Sequence, residues 1–241
     1  MAIATPTKPT ATPAAQPEFR SPAHEAAVAR ADALRAKSHF AKPADEATIE
    51  ATAAALREKG YDVHIAKDGA DAKRIVLELL PEGAEVGQGA SQTLEDIGVT
   101  HEIEESGRYT PVRKLTRAMD RTTPEGLSAM RKLGVGPDWY VNSAHALTLD
   151  GTIVVASNTG SQLAPLAFGA GEVIWVIGSQ KIVPDLDAAM QRIEEHALPL
   201  EHARMRGLYD IDSEVKKLLV IRKEFRPERF RIVIVRAPVG A

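Results

Sequence analysis

The sequence contains no cysteine. That absence excludes, within these residues, a disulfide framework, a zinc site with thiolate ligands, a cysteine-held iron–sulfur cluster and a cysteine nucleophile. Aromatic residues are scarce, at 5% of the chain, too few for a platform that stacks single-stranded nucleic acid. Neither sign of charge dominates: 30 Lys and Arg stand against 33 Asp and Glu, a formal net charge of -3. No global field therefore draws the chain to nucleic acid or to an anionic membrane. No apolar run approaches the roughly 18–20 residues of a membrane-spanning helix, so no membrane span is expected. The stretch Met1 to Arg20 lacks the basic start and apolar centre of a secretory signal, and a cytoplasmic location is the default expectation.

What remains is ordinary globular composition over 241 residues, a length that suggests one domain. Five of the 15 prolines fall within the first 22 residues, among Ala and Thr. So little large apolar surface cannot offset the entropy of ordering, and residues 1–20 are expected to be a flexible tail, with 21–241 a single domain. Ser21-Pro22 reads as a helix start, running to about Lys37. A second helix spans about Pro43 to Lys59, with Ile49, Ala53 and Leu56 at helical spacing, Thr52 interrupting the stripe and Gly60 stopping it. A short strand at 61–65, a helix at 69–80, a strand at 84–87 and a short helix at 92–97 follow. Residues 100–121 are charged and poorly periodic, and read as a long excursion with some helix. Beyond them come a helix at 124–133 and apolar strands at 139–141, 152–156, 172–177 and 231–235. A helix opened by Pro184-Asp185-Leu186 runs to about His196, with a break at Pro199. Strands alternating with helices predict an α/β layered fold with a mainly parallel central sheet.

Four polar loops follow strand candidates, where α/β sheets bind ligands. In the first, Gly87, Gly89, Ser91 and Thr93 would let backbone and hydroxyl donors approach an anion; the same pattern makes a tight βα turn with Ser91 as helix cap. The second carries Ser143 and His145 before the hairpin signal Asp150-Gly151; His145 is a candidate general base or a hydrogen-bonded structural residue. The third, Ser157, Asn158, Thr159, Gly160, Ser161 and Gln162, is a pocket wall or a solvated turn. The fourth, Gln180 and Lys181, would place a mobile ammonium at the sheet edge, suited to a phosphate or carboxylate. His145 and Lys181 are the catalytic candidates. No metal-ligand spacing is present: His196 and His202 flank Pro199, and Glu102, Glu104 and Glu105 read as a solvated face. Residues 204–236 carry ten Lys and Arg against five Asp and Glu, which could meet an acidic partner but also describes a solvated face.

Asn142 to Thr152, then Ser157 to Gln162, then Val173 to Leu186 resemble the core of the LUD domain family, which includes the lactate utilization protein C (YkgG-like) group. Gly87 to Ile97, the helix ending at Arg192 with Pro199-Leu200 and Arg204, and the closing Val235 to Gly240 are similar to it as well. The resemblance covers roughly residues 45–240. It implies a fold related to ribose-5-phosphate isomerase, CoA transferases and methenyl-folate synthetase. It also implies a part in oxidising L-lactate to pyruvate beside iron–sulfur partner proteins, with a small anionic or hydroxy-acid ligand; no cofactor is named by the motifs. Many members have Asn where this chain has His145 and Asn-Arg where it has Ser161-Gln162, and a common Asn is here Gln180. The missing arginine removes a fixed anchor for an anion. Three roles follow: a ligand-binding or catalytic subunit of lactate utilization, a regulatory scaffold recruiting iron–sulfur partners, or an independent enzyme on a sugar phosphate or CoA ester.

Overall fold

The computed structural model describes residues 22–241; the expected tail lies outside them. Helix α1 (Pro22–Lys37) leads through a short 3-10 turn to α2 (Glu46–Glu58), whose first turn is capped by the Asp45 carboxylate accepting from the Thr48 amide. Thr52 sits fully buried in the apolar stripe of α2 because its hydroxyl donates to the Thr48 carbonyl, so no donor is left unpaired. Then come β1 (Asp62–Ala66), α3 (Gly69–Leu79) behind an Asp68 cap, β2 (Glu85–Gln88), and α4 (Gln92–Asp96) behind Ser91.

The 100–121 excursion resolves into α5 (Val99–Glu105), a two-residue strand β3 (Thr110–Pro111) and α6 (Val112–Ala118). Its charges form ion pairs, among them Arg113 with Glu95 and Glu104 and Arg117 with Glu104, which is why no apolar periodicity marks it. Glu104 is thus no free surface acid: its carboxylate also accepts from the Gln88 amide at 2.9 Å.

Beyond α7 (Pro124–Val135) the chain forms β4 (Trp139–Asn142), β5 (Ala146–Thr148), β6 (Ile153–Ser157), β7 (Glu172–Gly178) and β8 (Ile182–Val183). Helix α8 (Leu186–Arg192), capped by Asp185, does not stop at Pro199. A π turn over Ile193–Ala197 carries it into α9 (Leu198–Tyr209). The Leu198 amide bonds to the Ile193 carbonyl, a wider i→i−5 turn, and a wider turn accommodates proline, which has no amide to give and whose ring crowds the preceding turn. The chain ends with β9 (Lys217–Ile221) and β10 (Phe230–Val235). Strand β9, not expected from the sequence, falls inside the basic 204–236 stretch, and Lys217, Leu218 and Val220 on it remain exposed.

The central sheet is parallel throughout, in the order β1-β10-β7-β4-β2-β3. The fold is α/β with helices against this sheet, as the alternation of strands and helices predicts. A second sheet, β8-β5-β6-β9, was not expected: β6 pairs antiparallel with both β5 and β9. One face of the central sheet packs Trp175, Phe230 and Ile232 against α2 and the inner side of the second sheet, at Leu147, Ile153 and Ile221. The other face packs Val86, Val141 and Val176 against α3, α4 and α5. Residues Ala146, Val154 and Val183 on the outer side of the second sheet meet Ala189 and Ile193.

Candidate functional site

Strands β2, β4 and β7 are neighbours in the parallel sheet, so their carboxyl ends, Gln88, Asn142 and Gly178, lie along one edge. The three loops leaving that edge converge. Lys181 Nζ donates to Thr93 Oγ1 at 2.9 Å and to Ser143 Oγ at 3.1 Å, and the two hydroxyls are 3.2 Å apart. All three residues are buried, Lys181 with 3% of its surface exposed. It is a tied, enclosed amine, not the mobile ammonium that its loop position predicts.

The third loop, after β6, does not converge, because β6 runs antiparallel in the other sheet. Ser157 Oγ accepts from the Gly160 amide, Thr159 and Ser161 pair through their hydroxyls at 3.0 Å, and Lys217 caps the Thr159 carbonyl. Ser157, Asn158, Gly160 and Ser161 therefore form a partly exposed turn of their own. Gln162 alone reaches inward. A Cβ placed on Gly89 would lie 2.9 Å from Gln162 Oε1 and 2.8 Å from Asn142 Oδ1, so any side chain there would displace these amides. Gly87 sits within β2, where a side chain would strike the Tyr140 ring and Pro137; its smallness serves packing.

His145 lies beside the trio. Its amide donates to the Val154 carbonyl, its Nδ1 accepts from the Ala156 amide at 3.2 Å, and its carbonyl accepts from Arg192 Nη1. Gln180 clamps the chain's end: its amide donates to the Val239 carbonyl at 2.8 Å and its oxygen accepts from the Val239 amide. The Gly240 amide donates to Asp96, and a Cβ on Gly240 would come within 2.2 Å of Thr93 Oγ1. Residues 239–240 are thus a strap over the trio.

Arg192 was not among the expected site residues. It is fully buried, with Nε on the Gln180 carbonyl at 3.3 Å and Nη1 on the His145 carbonyl, while Nη2 has no partner. The signal was periodic: Ala189, Arg192, Ile193 and His196 stand at i, i+3, i+4 and i+7, all on the buried stripe of the helix.

The LUD domain family matches residues 49–235, well over half of the chain. The chain belongs to the LUD domain family. The match includes Thr93, Ser143, Lys181 and Arg192 and stops short of the strap. A DUF162 family protein from Deinococcus radiodurans has the same fold: its crystal structure superposes with a TM-score of 0.51 at 11% sequence identity, covering 80% of this chain and 99% of that one. No curated protein sequence matches the chain.

This LUD domain buries positive charge without acid to balance it. Among the described residues no carboxylate pairs with Lys181 or Arg192. Burial and then Arg192 push the Lys181 amine well below the usual lysine range, partly opposed by Asp96, with a smaller push from Arg35. Burial brings Arg192 down to about 9. The delocalised guanidinium keeps its proton at neutral pH and the lysine yields first. Burial, Lys181 and Arg192 hold His145 at about 3; burial, followed by Arg192, Arg35 and other cations, holds His196 at about 4.

Both imidazoles lie below the ordinary 6.5, so the unfolded chain takes up protons that the folded one refuses. Their contribution to stability is complete above pH 6.5 and is lost as pH falls from 6.5 towards the folded values, by up to about 1.4 kcal/mol per pH unit for each histidine. Urea denaturation at pH 7.5, 6.5 and 5.5 should show a steeper loss for the native sequence than for the double variant His145→Asn, His196→Asn. Parallel profiles would contradict the burial of neutral imidazoles.

Proposed function

We propose that this LUD domain binds a small 2-hydroxy or 2-oxo carboxylate at the Thr93–Ser143–Lys181 contact and serves the oxidation of L-lactate to pyruvate, in keeping with its resemblance to the lactate utilization protein C group. The observation that carries the reading is the uncompensated guanidinium of Arg192, with Nη2 unpartnered and Lys181 close enough to feel its charge. Buried charges call for partners, and a carboxylate is the planar acceptor that a guanidinium fits. Arg192 takes the place of the anchor that the Ser161-Gln162 departure removes. The Thr93 and Ser143 hydroxyls suit a 2-hydroxyl or 2-oxo group. With no cysteine to hold a cluster, electrons from lactate pass to iron–sulfur partners, and this protein is the non-redox member of a cytoplasmic set, with 21–241 acting as one unit.

A thermal-shift panel of L-lactate, pyruvate, sugar phosphates, CoA esters and folates tests this. L-Lactate or pyruvate should stabilise the protein, by about 2.7 kcal/mol at a hundredfold excess over Kd, and Arg192→Gln should abolish the shift. Stabilisation by sugar phosphates or CoA esters alone would move the assignment to an independent enzyme, and normal growth of a deletion strain on L-lactate would sink the pathway.

A scaffold reading has its own support. Phe168 and Phe225 are 90% and 95% exposed at a groove of about 730 Å³ shared with Leu186, Leu219 and Val220, beside β9 at the edge of the second sheet. Large exposed aromatics around a groove mark partner surfaces. Recovery of iron–sulfur proteins by pull-down, with no ligand stabilising the protein, would favour it.

A further inference from the structure

Lys181 has a hydrogen-bond inventory that distinguishes its two protonation states. An ammonium has three N–H donors, a neutral amine two and a lone pair. Nζ has two acceptors, Thr93 Oγ1 and Ser143 Oγ, and among the described residues no carboxylate within ion-pairing distance. A neutral amine is satisfied by this pair, whereas an ammonium would bury an unpaired donor at considerable cost. A lysine desolvated beside another cation is the arrangement that activates amines towards carbonyl compounds.

Arg192 is tied to the same two loops as the amine. Its Nε bonds the carbonyl of Gln180, the residue before Lys181, and its Nη1 the carbonyl of His145, two residues after Ser143. Pairing of β5 with β8, Leu147 opposite Ile182, holds those loops in register. An amine with a free lone pair and a guanidinium with a free Nη2 thus share one pair of loops. Carboxylate and ketone stand on adjacent carbons in a 2-oxo acid.

We propose that Lys181 captures a 2-oxo carboxylic acid covalently, as an imine between Nζ and the keto carbon, with the acid's carboxylate on Arg192. The proposal rests on the carboxylate-binding reading above and adds a bond to it. The Nζ lone pair attacks the keto carbon while the C=O π electrons move to oxygen. One N–H proton passes to that oxygen, by way of the Ser143 or Thr93 hydroxyl, giving a carbinolamine. The C–O bond then breaks, and the oxygen leaves as water with the second N–H proton. No oxidant or reductant takes part. L-Lactate has no carbonyl carbon to attack, so the site separates the oxidised acid from the reduced one by chemistry and not by shape. Val239 and Gly240 lie against Thr93, and lifting of this strap is proposed as the way in to Lys181.

The test is to incubate the full chain with pyruvate and sodium cyanoborohydride and read intact mass and peptide map. One reduced pyruvate should appear on the peptide bearing Lys181, none with L-lactate, and the adduct should be lost in Lys181→Met. Gln180→Ala, which frees the strap, should speed the trapping. Absence of the adduct, or its spread over other lysines with none on Lys181, overturns the proposal. Mapping the unmutated protein decides the question even where a variant fails to fold. A pyruvate-induced thermal shift without an adduct would leave the carboxylate site standing and remove the imine; neither shift nor adduct would remove both.

Discussion

Lys181→Met should abolish every ligand-induced shift and yet yield a more stable protein. Methionine matches the length of the lysine stem and brings no polar nitrogen into a position with 3% exposure. An ammonium of the unfolded chain must give up its proton to reach this position, which costs about 1.4 kcal/mol for each unit of the amine's depression lying above the ambient pH, and methionine avoids that cost. The hydroxyls left behind keep partners: Thr93 reaches the Val239 carbonyl and Ser143 the Ala144 carbonyl, both at 3.4 Å. The expected gain is about 1 kcal/mol or more near neutral pH, roughly 2–4 °C in Tm for a chain of this size.

The pH dependence of that gain carries a sign. The Lys181 amine lies well below the ordinary 10.5 when folded, so between the folded value and pH 10.5 the unfolded chain holds a proton that the folded one has released. Its unfavourable contribution grows as pH falls from 10.5 towards the folded value and vanishes above 10.5. The advantage of Lys181→Met should therefore narrow between pH 7 and pH 10. Urea denaturation of the two unliganded proteins across that range measures it. A loss of more than about 2 kcal/mol in the methionine variant would make Lys181 a structural residue and remove the basis for a ligand site.

Trp175→Ala should cost about 3–5 kcal/mol, a large part of the 5–15 kcal/mol that holds a typical domain folded. Trp175 is fully buried in β7, with β10 and β4 on either side. Its ring meets Phe230 edge-on at 5.6 Å, and Phe230 in turn lies 5.4 Å from Tyr61. Truncation leaves a cavity between the two sheets, where interlocked strands limit collapse. Trp175→Phe should cost far less, because it keeps a ring against Phe230 and removes the indole Nε1, a buried donor without a partner. Equal losses for the two variants would mean that the ring contact contributes nothing.

Local chemistry was legible residue by residue. Ser91 and Asp185 announce the starts of α4 and α8 because a short oxygen-bearing side chain can satisfy a free amide of the first turn. The continuous apolar run of β7 announces a strand covered on both faces. Strand β9 went unseen because Lys217 to Ile221 lies among charges and is half exposed at a sheet edge. The hairpin turn at Asp150-Gly151 was readable, since Gly151 has a φ of +77°; the sheet to which that hairpin belongs was not.

The amino-acid sequence by itself determined the α/β class, the caps and most strand positions, the absence of cysteine chemistry and the loops that leave β2, β4 and β7. Those properties follow from short-range hydrogen bonding and from the period of apolar residues. The tertiary structure decided that β6 runs in a second, antiparallel sheet and so carries its polar turn away from the site. It also decided that Lys181 and Arg192 are buried. A lysine in a loop and an arginine on a helix have the same chemistry in any sequence; whether water or protein surrounds them depends on strands and helices distant along the chain. That surrounding shell turns an ordinary ammonium into a candidate nucleophile and an ordinary guanidinium into a candidate anchor.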